Sequence, residues 1–152
     1  MIDFEQRFND YRAYINEKLA AYVATDGSKI CDSMHYSVMA GGKRIRPVLA
    51  LECCRLCCGD YKKATAFACA LEIIHSYSLI YDDLPCMDND TMRRGKPANH
   101  IRFGEGNGIL AGDGLLTLAG CLLLEYEGDK RAAREIFFLL RRMWCFMPAG
   151  DL

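Results

Sequence analysis

The stretch Leu79-Ile-Tyr-Asp82-Asp83-Leu-Pro-Cys-Met-Asp88-Asn-Asp90 places a cluster of carboxylates at the end of an apolar helix. Carboxylates that converge at the mouth of a helical bundle repel one another, and a bound cation relieves that repulsion. Oxygen ligands without histidine or cysteine are typical of Mg²⁺, which bridges carboxylates to phosphate groups. The stretch therefore predicts either a magnesium-dependent diphosphate site or a solvated acidic helix end. The spacing of a calcium-binding loop is absent.

Apolar side chains on both sides of this stretch recur with the period of an α-helix. The first segment has them at intervals of 4, 3, 4, 4 and 3 residues, at Phe4, Phe8, Tyr11, Ile15, Leu19 and Tyr22. Further helices are predicted over residues 29–40, 48–58, 61–84, 109–126 and 130–147, with an ordered polar loop over 85–108. Without clear strand alternation, the sequence predicts one all-α domain over residues 1–152, an antiparallel bundle of about six helices.

Length and charge exclude several classes of protein. With 152 residues, 51% of them hydrophobic, the chain can bury one core. Its formal net charge of −1 provides no overall attraction for nucleic acid or an anionic membrane. No uncharged apolar run reaches the roughly 18 residues of a membrane span, and the acidic start does not resemble a secretory signal. We therefore expect a cytoplasmic protein without a membrane span.

Nine cysteines are distributed through the helical segments. An odd number within helices argues against a disulfide framework, and free thiols suit a reducing compartment. The densest group is Cys53-Cys54-Arg-Leu-Cys57-Cys58, in which pairs four residues apart could face one zinc ion. No histidine or second cysteine pair lies near in sequence, so buried core thiols are the favoured interpretation.

Two basic segments flank the carboxylates in the chain. Arg93-Arg-Gly-Lys-Pro97 follows them, and Gly41-Gly-Lys-Arg-Ile-Arg-Pro47 forms a turn that leads into a helix. Arginine is a bidentate partner of phosphate, and free amides at a helix start add partial positive charge. Simple salt bridges and a surface-exposed basic turn are the alternatives. His75 lies two helical turns before Asp82 on the same face, which favours a role at the site over a satisfied core histidine.

Two further features are interpreted as structural. Gly104-Glu-Gly-Asn-Gly108 mimics a phosphate-binding loop, but neither a preceding strand nor a following lysine accompanies it, so it predicts a flexible loop. Asp113 lies within an apolar helix, where a capped or paired structural carboxylate is more common than a catalytic one.

Three motifs in order resemble those of the trans-polyprenyl diphosphate synthases, in particular the bacterial farnesyl diphosphate synthases (geranyltranstransferases). They are the basic turn at residues 41–47, Asp82-Asp83-x₄-Asp88, and the basic segment at residues 93–97. The helix at residues 109–119 resembles a further family segment. Each motif alone is weak to moderate evidence for the family, whereas the three motifs in this order are specific to it. The resemblance covers residues 33–119 and implies the isoprenoid synthase fold.

The resemblance implies a role for each matching residue. Asp82 and Asp88 would bind Mg²⁺, with Asp83 in support, and Arg93 would hold the allylic diphosphate. A second group would hold isopentenyl diphosphate: Lys43, Arg46, His75 and Arg94. Tyr77, with Ser78 beside it, would wall off the growing chain at fifteen carbons.

The implied reaction condenses isopentenyl diphosphate with dimethylallyl or geranyl diphosphate. Magnesium and cationic side chains stabilise the departing diphosphate. The isopentenyl double bond then attacks the allylic carbon, and a proton is lost. No covalent intermediate with the enzyme is needed.

The sequence also departs from the family. Family members are roughly twice as long, and their second aspartate-rich motif has no counterpart here. The segment Arg141–Leu152 does not match either, and Pro148 is predicted to break the helix there. We therefore expect a truncated, N-terminal half of the bundle. Its unpaired apolar faces would make it self-associate, as a homodimer by resemblance, or fold only with a partner chain.

Two other functions remain open. One is a non-catalytic fragment or subunit that binds prenyl diphosphates or a partner chain. The other is a terpene cyclase, which also uses an aspartate-rich motif on an α-bundle. The basic turn at residues 41–47 and Arg94 argue against a cyclase, because that reaction needs no second diphosphate site.

Overall fold

A computed structural model of the chain describes residues 3–128 and 130–146, with side chains up to residue 142. These ranges contain seven α-helices: α1 (Phe4–Tyr22), α2 (Lys29–Val38), α3 (Ile45–Cys58), α4 (Thr65–Asp82), α5 (Asn99–Phe103), α6 (Glu105–Glu125) and α7 (Lys130–Phe146). A 3-10 turn (Tyr61–Ala64) precedes α4, and an antiparallel hairpin of β1 (Met92–Arg93) and β2 (Lys96–Pro97) follows it. The predicted all-α bundle is confirmed. Asp129, Met147 and Pro148 lie outside the described residues.

The helix α4 is central to the bundle. It packs most extensively against α6 and also contacts α1, α2 and α3. Its buried residues are Ala68, Cys69, Ala70, Glu72, Ile73, Ser76, Tyr77 and Ile80. A helix covered on several sides is apolar nearly all round. The carboxylates at the end of α4 therefore follow directly on a helix that lies in the core.

Two apolar helical segments are long and apolar enough to cross a membrane, although neither is the uninterrupted uncharged run considered from the sequence. They are Tyr61–Asp82 and Glu105–Glu125, and 50% and 39% of their most apolar windows are buried within the bundle. Core helices of soluble bundles can be equally long and apolar. The two segments therefore give only weak support for a membrane span.

The predicted apolar face of α1 is confirmed in the middle of the helix, whereas Phe4 at its start is 79% exposed. Tyr11, Ile15 and Leu19 are buried, and the helix packs against α3 and α4. The carboxylate of Asp3 caps its start by accepting a hydrogen bond from the amide of Glu5 at 3.1 Å.

The polar segment at residues 85–108 is more structured than the loop predicted for it. It contains the hairpin and α5, and α6 begins at Glu105 instead of residue 109. The interpretation of Gly104–Gly108 as a flexible loop is therefore wrong. Asn99 ties the segment to α2, because its side chain accepts a hydrogen bond from the Ser33 hydroxyl at 2.9 Å and donates to the Ser33 carbonyl at 3.0 Å.

The interpretation of Cys53–Cys58 as core thiols is also wrong. Cys53, Cys57 and Cys58 are exposed, and Cys54 is half-buried. The packed face of α3 carries Pro47, Val48 and Leu51. Cys53 follows Leu51 by two residues and therefore points to the opposite side of the helix. All eight cysteines whose side chains the structure describes are free thiols.

Candidate functional site

A cavity of about 570 Å³ opens beside the turn that precedes α3. Its lining includes all four residues predicted to hold isopentenyl diphosphate: Lys43, Arg46, His75 and Arg94. The first two come from the turn and the start of α3, His75 from α4, and Arg94 from the hairpin. The fold thus brings together, around one open space, basic groups from three separate segments.

Backbone geometry presents Arg94 to this cavity. Arg94 and Gly95 connect β1 to β2, and both have positive φ, 54° and 75°, as a two-residue turn of type I′ requires. The Arg94 guanidinium donates to the carbonyl of Gly41. A Cβ atom on Gly42 would lie 2.8 Å from Nη1 of Arg94, and the φ of 133° at Gly42 favours glycine there.

The electrostatics of the cavity favour an anion. Burial, and then the charge of Arg46, lower the pKa of His75. Burial, and then the charge of Arg44, lower the pKa of Arg94. The imidazole is therefore neutral at neutral pH, whereas the cationic side chains repel one another. An anion in the cavity would relieve this repulsion.

The carboxylate cluster divides into two groups. Asp83 is buried and forms an ion pair with Arg93, whose Nε lies 2.9 Å from Oδ1 of Asp83. The same guanidinium reaches Asp90 at 3.3 Å. The salt bridges considered as an alternative from sequence are therefore present at Asp83 and Asp90.

Asp82 and Asp88 form the accessible group. The amide of Asp88 donates to the carbonyl of Asp82 at 2.9 Å, which folds the chain back over the end of α4. Burial, and then the charge of Asp88, raise the pKa of Asp82. Two nearby oxygen donors with unfavourable repulsion fit a hard cation that completes its shell with water and phosphate oxygens. In the described part of the chain, however, no three histidine, cysteine or acidic side chains converge to hold a metal.

Tyr77 lies one turn before the aspartates and is 4% exposed. Its ring centroid is 4.9 Å from that of Tyr81, and both rings lie against Gly112 of α6. The Tyr81 hydroxyl donates to Oδ1 of Asp113 at 2.6 Å, which confirms Asp113 as a paired structural residue. Ser78 donates its hydroxyl to the carbonyl of His75 at 2.9 Å, within the helix.

The polyprenyl synthetase family matches residues 28–147. The chain belongs to the polyprenyl synthetase family. Farnesyl diphosphate synthase of Geobacillus stearothermophilus is 47% identical over 131 residues, which cover 85% of this chain and 44% of that protein. A chloroplastic geranylgeranyl pyrophosphate synthase of Capsicum annuum is 48% identical over 123 residues, covering 76% of this chain and 33% of that protein.

A solved structure of this family shares the fold. The FPP/GFPP synthase of Zymomonas mobilis superposes with a TM-score of 0.80 at 34% identity, covering 90% of this chain and 51% of that one. The bundle is therefore of the isoprenoid synthase type. The chain spans about a third to a half of the length of these relatives. Their names include farnesyl and geranylgeranyl synthases, so membership of the family leaves product length open.

Sequence reasoning missed the distinct role of Arg44 within the basic turn. Its guanidinium is buried, donates to Glu72 at 2.8 Å and to Asn16 at 2.9 Å, and also reaches the carbonyl of Val38 at 2.6 Å. The signal that could have indicated this role is Glu72, a carboxylate within an apolar helix, one turn before His75. A buried acid of this kind requires a cationic partner.

Proposed function

We propose that this polyprenyl synthetase chain carries the diphosphate-binding part of a prenyltransferase that condenses isopentenyl diphosphate with an allylic diphosphate. The single observation that carries the proposal is the 570 Å³ cavity lined by Lys43, Arg46, His75 and Arg94. Isopentenyl diphosphate would place its phosphates among these groups. The Arg and Lys side chains would supply charge-assisted hydrogen bonds, and the phosphates would raise the pKa of His75 towards protonation.

Asp82 and Asp88 would hold Mg²⁺ at the allylic diphosphate. The metal, when bound, neutralises the diphosphate and makes it a better leaving group. Asp83 would act indirectly, since its ion pair positions Arg93 beside that group. Arg93 would then hold the allylic diphosphate, exchanging part of its present contact with Asp90 for phosphate oxygens.

We propose a fifteen-carbon product. Tyr77 belongs to α4, the helix that ends in Asp82. It is buried against Tyr81 of the same helix and Gly112 of α6. A chain that grows from the aspartates into the bundle would meet this aromatic pair, with Ser78 beside Tyr77. Dimethylallyl and geranyl diphosphate would both serve as primers, and the protein would work in the cytoplasm.

A second candidate is a subunit or fragment that binds prenyl diphosphates without turnover. The observation that favours it is that, among the described residues, no group of three potential metal ligands converges. In this case the basic cavity would bind isopentenyl diphosphate, while the acidic end of α4 would complete its metal site only with a partner chain.

Two measurements on this chain test the proposal. Calorimetry should detect binding of isopentenyl diphosphate, and Lys43→Ala should weaken it about tenfold or more, because a hydrogen bond to a charged group contributes about 1.5–3 kcal/mol. Arg12→Ala is the matched control, since Arg12 is an exposed cation on α1. Incubation with isopentenyl and geranyl diphosphate should yield a fifteen-carbon product with Mg²⁺ and none with a chelator or in Asp82→Ala.

The outcomes separate the candidates. Binding with turnover supports the prenyltransferase, and binding without turnover supports the subunit. If isopentenyl diphosphate fails to bind, or if Lys43→Ala and Arg12→Ala bind it equally, the assignment of the cavity is wrong.

A further inference from the structure

Four cysteines lie on the C-terminal half of α3, outside the proposed diphosphate sites. Cys53, Cys54, Cys57 and Cys58 fall within its last two turns, and only Cys54 is partly covered. The start of α3 borders the basic cavity, and a 14-residue helix separates its two ends by roughly 20 Å. The condensation chemistry therefore leaves these thiols unused.

Helix geometry sorts the four thiols into two pairs. Residues four apart are neighbours on a helix surface, with Cβ atoms about 5–6 Å apart, so Cys53 is beside Cys57 and Cys54 is beside Cys58. Burial, and then the neighbouring Cys58 thiol, raise the pKa of Cys54, as expected for two thiols one helical turn apart. Cys54 also donates to the carbonyl of Asp60 at 3.3 Å.

The surroundings favour a soft cation over an anion or a hard metal. The C-terminal end of a helix carries partial negative charge, which stabilises a cation there. Thiolates select soft ions such as monovalent copper. Structural zinc needs four ligands, whereas in the described part of the chain no three potential ligands converge. The intervening Arg55 is held by Glu52, with its Nε 3.0 Å from Oε2, which offsets its charge.

We propose that the two cysteine pairs of α3 form a binding site for soft, thiophilic cations, with one monovalent copper ion held between the two sulfur atoms of each pair. On binding, two thiols each release a proton to the buffer as two copper–sulfur bonds form. Copper keeps its oxidation state, so no oxidant or reductant takes part.

The test is a titration of the reduced chain with monovalent copper under anaerobic conditions, against bicinchoninate as a coloured competitor. The chain should withdraw two equivalents of copper from the competitor. Cys57→Ser/Cys58→Ser removes one thiol from each pair and should abolish the withdrawal. Cys86→Ser/Cys121→Ser also removes two exposed thiols and should leave it unchanged.

Two single variants keep the test decisive if the double variant loses its helical circular dichroism. Cys57→Ser and Cys58→Ser should each retain one equivalent of the two. Equal copper binding by the Cys57/Cys58 and Cys86/Cys121 double variants would overturn the proposal. Tight binding of a single zinc ion by all four thiols would overturn the two-coordinate arrangement. None of these readouts involves diphosphates, so the result is independent of the proposed function.

Discussion

Arg44 borders the basic cavity, but its guanidinium belongs to the core. It has the left-handed φ of 54°, and its side chain turns inward to Glu72, with side-chain exposures of 1% and 2% for the two partners. Lys43 and Arg46, on either side of it, line the cavity instead. The buried ion pair therefore decides which cations of the turn remain available to a ligand.

Removing one partner of this pair should destabilise the fold much more than removing both. Glu72→Leu leaves the Arg44 charge buried and unpaired, and we expect it to lower the free energy of unfolding by about 3–5 kcal/mol. Arg44→Met/Glu72→Leu replaces both partners by apolar groups of similar size, which is often close to neutral. Urea unfolding followed by circular dichroism measures both values.

The control for this cycle is Arg7→Met. Arg7 pairs with Glu52 at 3.0 Å, with both side chains about 30% exposed, so its loss should cost far less than that of a buried partner. If Glu72→Leu and the double variant are equally destabilised, an unpaired Arg44 charge is not the cause of the destabilisation. Other contacts, such as those of Arg44 to Asn16 and Val38, would then account for it.

Among the helices, the contact between α4 and α6 depends on one small residue. Gly112 is buried in the middle of α6, where a Cβ atom would lie 2.8 Å from Cδ2 of Tyr81 and closer still to its Cε2. The Tyr81 ring is held in turn by its hydroxyl bond to Asp113. The two helices can therefore approach each other only where this side chain is absent.

Gly112→Ala should destabilise the protein in spite of the higher helix propensity of alanine. The propensity gain is about 1 kcal/mol, whereas overpacking a close contact costs about 1–3 kcal/mol. Gly106→Ala is the matched control on the same helix, because no atom lies within 4 Å of its would-be Cβ, and it should be neutral or stabilising. Thermal unfolding compares the two, and equal melting temperatures would show that Tyr81 does not pack on Gly112.

The helices that sequence could predict are those with a long, regular apolar period. The buried face of α1 could be predicted because Tyr11, Ile15 and Leu19 all point to one side. The hairpin was not, since strands of two residues are too short to show alternation. Nor was α5, which depends on the contact of Asn99 with Ser33, 66 positions earlier in the chain. Local patterns do not encode such distant partners.

The family resemblance indicated which residues would lie together in the candidate site, but not how they pair. It implied Lys43, Arg46, His75 and Arg94, and these residues do line one cavity, while their role as diphosphate ligands stays a proposal. Asp83 differs from Asp82 because it is buried against Arg93, and Arg93 is positioned by the hairpin. The sequence did not predict that hairpin. The exposed thiols of α3 were misassigned because cysteine is among the most buried residue types, and a period alone does not reveal which face is covered.

At the scale of the whole molecule, α6 and α7 leave large apolar side chains exposed to solvent. Those with at least 45% exposure on these two helices are Leu110, Leu124, Phe137, Phe138 and Leu139. Exposed groups of this kind mark interaction surfaces.

We therefore predict that the chain self-associates through α6 and α7. Leu124 and Phe138 are 75% and 50% exposed, and aromatic residues are enriched at interfaces. Sedimentation velocity at micromolar concentration should show a dimer or larger species, and Leu124→Glu/Phe138→Glu should shift it to monomer. Leu56→Glu on α3 is the control, since Leu56 is 70% exposed on a different helix. A monodisperse, folded monomer of the unmodified chain would refute the prediction, whereas dissociation by Leu56→Glu alone would move the interface to α3.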